Sequence, residues 1–256
     1  ARWRRHNQLR RERPMIFCDP ENGWNEIVTL DQLQCQGVLA RRWEMNLRKE
    51  IFWGEAYKPP PSIDIKQSVT CVDLGANIGL SALFFLFTCR SLKKLLIVEA
   101  NPELIETLKK NLHDANSSTE ILIKQVIVGG KSGSNKEFIV YDNNRHSTMN
   151  NVTEDSVAYK RFTIPLKGLR DLLDDNGFGD VDILKMDIEG GEFDIIQNDP
   201  EVFRRFRIIC AEIHGHPETR QDFCKILEAQ GFEIAEKRTS TENTVDVIFA
   251  QNLKVY

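Results

Sequence analysis

The chain of 256 residues, 41% hydrophobic and 28% charged, has the make-up of an ordinary globular protein, long enough for one substantial core and short for two equal domains. Its longest apolar run, Ile78 to Cys89, is broken by Gly79, Ser81 and Thr88 and is too short to span a bilayer. The net charge of -4 is unevenly spread, because residues 1–14 hold six arginines and one acid and the remainder carries -9, a balance that opposes extensive phosphate contact outside the arginine arm.

The arm (Arg2, Arg4, Arg5, Arg10, Arg11, Arg13) reads as a solvated lead-in, with nucleic acid, anionic lipid or the flank of a removed anchor or targeting segment as the functional alternatives. Leu33, Val38, Leu39, Trp43 and Leu47 then mark an amphipathic helix over 30–51, and Pro59 to Pro61 form a stiff linker. Residues 1–62 are therefore expected to be a basic arm and a helical N-terminal cap, with Trp24, Trp43 and Trp53 filling core or one of them lining a substrate pocket. Residues 63–256 are expected to form the main domain.

Within that domain strands and helices alternate. Val69 to Leu74 predicts a strand, Leu80 to Arg90 a helix and Leu95 to Glu99 a strand; Pro102 opens a helix over Glu103 to Leu112, and Ile121 to Val128 predicts a third strand. Such alternation implies a parallel sheet with right-handed crossovers and helices on both faces. Between Gly129 and Leu166 the pattern changes to two pairing strands, Phe138 to Tyr141 and Arg161 to Pro165, around a polar loop from Asp142 to Ser156 that has the character of a lid. A helix over Leu169 to Asp175, a strand over Val181 to Asp187, a strand over Phe206 to Ile213 and a helix over Gln221 to Gln230 follow. Phe232 to Ala235 and Val245 to Phe249 complete the pattern as a hairpin-like pair adding an antiparallel edge.

The chemistry is concentrated where the first strand turns. Gly75 and Gly79 let the backbone turn tightly and approach a ligand. Their G-x-x-x-G spacing is not the G-x-G-x-x-G of a pyrophosphate site, and Asp73 in front of them would repel a diphosphate. An acid there suits a cationic nucleoside, and S-adenosylmethionine carries an ammonium and a sulfonium without phosphate. Glu99, twenty residues after Gly79, ends the next strand at the distance from which an acid accepts hydrogen bonds from ribose hydroxyls. The six cysteines (Cys18, Cys35, Cys71, Cys89, Cys210, Cys224) lack C-x-x-C pairing, which argues against a zinc site or disulfide framework. A cytoplasmic or other reducing compartment is the expectation, with organellar targeting left open. The sequons at Asn116 and Asn151 occur at chance level and do not establish secretion.

Val72-Asp-Leu-Gly-Ala-Asn-Ile-Gly79, Glu99-Ala-Asn-Pro102, Lys185-Met-Asp-Ile-Glu-Gly-Gly-Glu192 and Ala211-Glu-Ile-His214 together closely resemble the FkbM family of S-adenosylmethionine-dependent methyltransferases. The resemblance spans about residues 69–216 and implies a Rossmann-like, seven-stranded fold that O-methylates hydroxyls of natural products and sugars. It also implies that Asp73, Gly75, Asn77 and Gly79 contact the methionine end, that Glu99 binds the ribose, that Ala76, Ala100 and Asn101 belong to the same cofactor-binding set, and that Asp187, also in that set, faces the reaction crevice. One departure is Pro165-Leu-Lys-Gly-Leu-Arg-Asp-Leu-Leu173, where many members carry T-L-D-x-L-L, which leaves cofactor binding intact and puts substrate shape in question.

Methyl transfer to a hydroxyl needs alignment and gains from a base. Glu212 and His214 share one face of their strand, and Asp187 ends its neighbour, so these three are the catalytic candidates, with His214 favoured as base by its ordinary pKa. Glu189, Glu192 and His216 are further acceptors; Glu192 reads as a helix first-turn acid and His216 as a turn residue. A divalent metal on Asp187, Glu212 and His214 is a weaker alternative, since no metal-specific spacing is present. The leading function is an O-methyltransferase acting on a small molecule or glycan. The alternatives are a nucleic-acid methyltransferase guided by the arm and a non-catalytic scaffold that keeps the fold.

Overall fold

The computed structural model describes residues 15–19, 23–28, 51, 56–113, 118–141, 147–148, 159–239 and 245–253. Its centre is a seven-stranded sheet made of β3 (Thr70–Leu74), β4 (Lys94–Val98), β5 (Glu120–Lys124), β11 (Val181–Met186), β12 (Phe206–His214), β13 (Phe232–Thr239) and β14 (Val245–Asn252). The spatial order is β13-β14-β12-β11-β3-β4-β5. From β12 to β5 every neighbouring pair is parallel, whereas β14 runs antiparallel to both β12 and β13. The antiparallel member of the expected terminal pair is thus β14, seated inside the sheet, and the edge belongs to β13. Alternating burial along β13 and the exposed Glu233 and Lys237 fit that edge.

Period-two alternation sorts the strand residues into two cores. In β4, Leu95 and Ile97 face one layer and Leu96 and Val98 the other. The first layer holds α1 (Leu80–Thr88) and α2 (Ile105–His113), through Leu80, Leu83, Phe85, Leu108 and Leu112. The second holds α3 (Leu169–Asp175), α4 (Glu192–Asn198) and α5 (Pro217–Ala229), through Leu172, Leu173, Ile195, Ile196, Phe223 and Leu227. Helices on both faces of a mainly parallel sheet make this the Rossmann-like α/β fold. A residue of the N-terminal segment, Tyr57, joins Ile63 and Ile65 in the first layer.

The run expected as one strand over 121–128 divides. β5 belongs to the main sheet, and β6 (Ile127–Gly129) leaves it to pair in parallel with β10 (Leu166–Gly168). Between them β7 (Lys136–Tyr141) and β9 (Tyr159–Ile164) pair antiparallel, as their sequence indicates. Part of the polar loop is itself strand, β8 (Ser147–Thr148), which adds to β7; the rest of residues 142–156 lies outside the described residues. At the N-terminus β1 (Met15–Asp19) and β2 (Gly23–Val28) form an antiparallel hairpin in the stretch read as helical, while residues 30–50 of the expected helix, Trp43 and Trp53 lie outside the described residues. Among the described residues no helix is long and apolar enough to cross a membrane.

Candidate functional site

The strand order reverses between β3 and β11, since the chain builds outward from β3 through β4 and β5 and then returns to build from β11 in the other direction. Open α/β sheets bind ligands in the crevice at that point, outside the carboxyl ends of the strands. An open cavity lies there, lined by Gly75, Asn77, Glu99, Ala100, Asp187 and Glu189 on its polar side and by Leu104, Val126, Ile127, Val128 and Phe138 among its apolar walls.

The glycine turn is held from both neighbouring strands. Gly75 and Ala76 donate their backbone N–H groups to Val98 O, and Asp187 N–H donates to Leu74 O. Gly75 has φ +74°, and a Cβ there would meet the carbonyl oxygen of Asp187 at 1.7 Å, so only glycine lets the two strand ends come together. Asn77 is also left-handed, at φ +53°, and its N–H donates to Glu99 Oε2 at 2.7 Å. Asn101 N–H donates to Glu99 Oε1 at 2.7 Å. Burial raises the Glu99 carboxyl against the opposing pull of these two bonds. Each oxygen has one backbone donor and therefore keeps acceptor capacity for a ligand hydroxyl.

Asp73 stands differently from its expected place. It is fully buried, and its carboxylate meets Ser81 Oγ at 2.6 Å and Lys185 Nζ at 3.2 Å, beneath the turn and off the cavity wall. Lys185, also buried, donates to the carbonyl oxygens of Gly75 at 2.7 Å and Leu74 at 3.3 Å. Burial works against its charge, but Asp73, Asp187 and Glu212 outweigh it and raise its pKa, so the cation persists. Sequence reasoning quoted Lys185 only as part of a motif and gave it no role. Ala76, Gly79 and Asn101 likewise shape the loop without lining the cavity; Gly79, at φ +86°, is the N-cap of α1.

Beside the cavity, Glu212 and His214, which do not line it themselves, converge with the lining residue Asp187, each offering a ligand atom within 4.8 Å of the others. His214 Nε2 lies 3.9 Å from Asp187 Oδ1 and 3.6 Å from Glu189 Oε2, and Nδ1 lies 3.3 Å from Glu192 Oε1. Burial disfavours the imidazolium, but the hydrogen bond and charge of Glu192, with Asp187 and Glu189, raise His214 to about 9. The ring thus carries its proton at neutral pH, whereas its ordinary pKa pointed to a neutral base. Burial raises Asp187 as well, opposed by Lys185 and His214. Glu192 is indeed in the first turn of α4, yet it is wholly buried and accepts from Ile188 N–H at 2.9 Å, so its part is larger than that of a dipole-favoured surface acid. His216 is the exposed N-cap of α5, a turn residue as read.

The aromatic residue that reaches this cluster is Tyr57, which no sequence signal singled out. Its hydroxyl donates to Glu212 Oε1 at 3.2 Å and its ring centroid lies 5.4 Å from Lys185 Nζ. Burial and the Glu212 charge raise the hydroxyl well above its usual pKa, so it remains a donor.

The model of the methyltransferase FkbM domain matches residues 73–234, more than half of the chain and every residue that lines the cavity. The chain belongs to the FkbM methyltransferase family. A curated relative, methyltransferase sdnD of Sordaria araneosa, is 28% identical, with 83% of this chain and 91% of that protein covered. Among solved structures, fibrillarin of Aeropyrum pernix with natively bound S-adenosyl-L-methionine is similar at a TM-score of 0.48 and 15% identity, covering 77% of this chain and 74% of that one. Precorrin-6y C5,15-methyltransferase of Geobacter metallireducens is similar at 0.41 and 16%, covering 72% and 80%. The FkbM protein described here is a methyltransferase that uses S-adenosylmethionine. Its crevice fits that cofactor: beside the half-engaged Glu99 carboxylate on the cavity wall, Asn77 Oδ1 is buried without a hydrogen-bond partner among the described groups. A ligand rich in hydroxyl and amino groups would complete them.

Proposed function

We propose that the protein transfers a methyl group to a hydroxyl of a small molecule or glycan. The observation that carries the reading is the convergence of Asp187, Glu212 and His214 at the strand ends next to a cavity whose other end presents Glu99. S-adenosylmethionine, when bound, supplies a methyl carbon on a positively charged sulfur, which passes to a nucleophile as the carbon–sulfur bond breaks.

The residues divide the work by position. Glu99 accepts from the ribose hydroxyls, and Val126, Ile127, Val128 and Phe138 offer an apolar slot for the base. Gly75, Asn77 and Ala100 border the methionine end, Gly79, Ala76 and Asn101 fix the loop that carries them, and Asp73 acts through Lys185. Asp187, Glu212 and His214 orient the acceptor hydroxyl, and the carboxylates, held in place by the His214 ring, take up its proton as the methyl arrives; alignment of a bound pair and proton removal are the two contributions such a reaction needs. Residues 63–256 form the catalytic domain, residues 1–62 an extension to it, and the loop over 142–156 a lid that excludes water from the acceptor.

The test supplies cofactor with an isotopic methyl group to a cell extract and identifies the labelled product by mass. Label on the oxygen of a small molecule or glycan is expected, and it should vanish with Asp187→Asn. Label confined to RNA would shift the reading to nucleic acid guided by the arginine arm.

A further inference from the structure

We propose that the acceptor end of the crevice is a divalent-cation site, in which Asp187, Glu212 and His214 are the protein ligands and an ion of the Mn²⁺ class is the occupant. The three side chains come from the ends of adjacent strands, and their ligand atoms lie within 4.8 Å of one another. Two ligands bound at about 2.1 Å to one ion stand roughly 3 to 4.2 Å apart, depending on the angle between them. The 3.9 Å between His214 Nε2 and Asp187 Oδ1 falls in that range.

Mutual proximity of two carboxylates and an imidazole is not enough, and the surrounding groups add an independent sign. Metal-binding histidines characteristically give their second ring nitrogen to a carboxylate, which fixes the ring and its tautomer. Glu192 stands in that position, 3.3 Å from Nδ1, fully buried, with its other oxygen, Oε2, lacking a hydrogen-bond partner among the described residues. Tyr57 does the same for Glu212, donating to one oxygen at 3.2 Å. A backbone bond from Asp187 N–H to Leu74 O anchors the third ligand. The buried cation Lys185 has its Nζ on Asp73 and the carbonyls of the glycine turn, so it is committed to the neighbouring loop.

The donor set indicates the ion. One imidazole with two carboxylates, accessible enough to keep open positions for water and substrate, suits a borderline divalent ion such as Mn²⁺ better than Ca²⁺ or Mg²⁺. Its use in catalysis rests on the O-methylation reading: the ion would hold the acceptor oxygen and make its proton easier to lose. The proton would pass to Glu189, whose Oε2 lies 3.6 Å from His214 Nε2 at the more open side of the cluster, and from there to water.

The experiment titrates Mn²⁺ into the EDTA-treated, dialysed full chain and follows free ion by electron paramagnetic resonance. One ion per chain is expected. His214→Ala and Glu212→Gln should each weaken binding at least tenfold, and Tyr57→Phe and Glu192→Gln about tenfold as removed supports. Thermal shift with S-adenosylhomocysteine, measured on each variant, shows that the fold and the cofactor end persist. Absence of binding to the wild-type chain, or equal affinity in His214→Ala, would overturn the site. Binding with the expected variant losses but without methylation of any hydroxyl would uphold the site and refute the O-methylation reading instead.

Discussion

Position 75 tolerates no side chain, because a Cβ would lie 1.7 Å from the Asp187 carbonyl oxygen and the backbone is already left-handed. Gly75→Ala should therefore cost at least about 1–3 kcal/mol of stability in urea unfolding and weaken S-adenosylhomocysteine binding. A variant as stable and as tight-binding as the wild type would mean that the turn adapts. Lys185 sets a second residue-scale expectation. With both partners fully buried, Lys185→Met leaves the Asp73 carboxylate uncompensated and should cost about 3–5 kcal/mol. Adding Asp73→Asn should restore part of that loss; no recovery in the double variant would show that Lys185 acts through the glycine-turn carbonyls alone.

At the scale of elements, β13, β14 and α5 are tied at one carboxylate. Asp246 of β14 receives Arg220 Nε at 3.1 Å, Lys237 Nζ at 2.7 Å and Thr239 Oγ1 at 2.7 Å. Burial pushes its pKa up, but the bonds from Lys237 and Thr239 and the charges of Lys237 and Arg220 prevail and leave it lowered. A carboxyl whose pKa is lower folded than unfolded binds fewer protons in the folded state, so it stabilises the fold above its unfolded pKa, about 3.9, and that stability fades as pH falls through the folded value. Asp246→Asn should lower the melting temperature at neutral pH and flatten its decline below about pH 4. An unchanged acid limb would assign acid sensitivity to other carboxylates. Elements also show what the sequence makes legible. The strand-turn-helix around Gly75 and the alternation of β4 are written in local periodicity, and the helix over Leu169 to Asp175 has the expected bounds. The departure of β6 from β5 depends on a partner, β10, some forty residues away, and the reach of Tyr57 to Glu212 spans 155 residues. The surroundings of Asp73 are hidden for a related reason: an acid at a strand end faces either a ligand or a buried cation, and its contact with Lys185 comes from the adjacent strand.

The whole molecule should respond to its cofactor as one body, since the crevice is framed by β3, β4 and β11 at the middle of the sheet. S-adenosylhomocysteine at a hundredfold excess over its dissociation constant adds about 2.7 kcal/mol. For a unit of this size that corresponds to a rise of roughly 5–10 °C in melting temperature. No rise with this compound, alongside a clear one with NAD, would contradict the fit of Glu99 and Asn77. The seating of β14 between β12 and β13 bears on how the protein is made. During synthesis β12 leaves the ribosome well before residues 245–252, so a long, apolar strand must wait with one edge open until its partner arrives and slots in. The nascent chain is then most exposed to self-association just before β14 emerges, and holding chaperones would act in that interval. Chains halted before Val245 should collect in the insoluble fraction, while chains extended through Asn252 stay in solution.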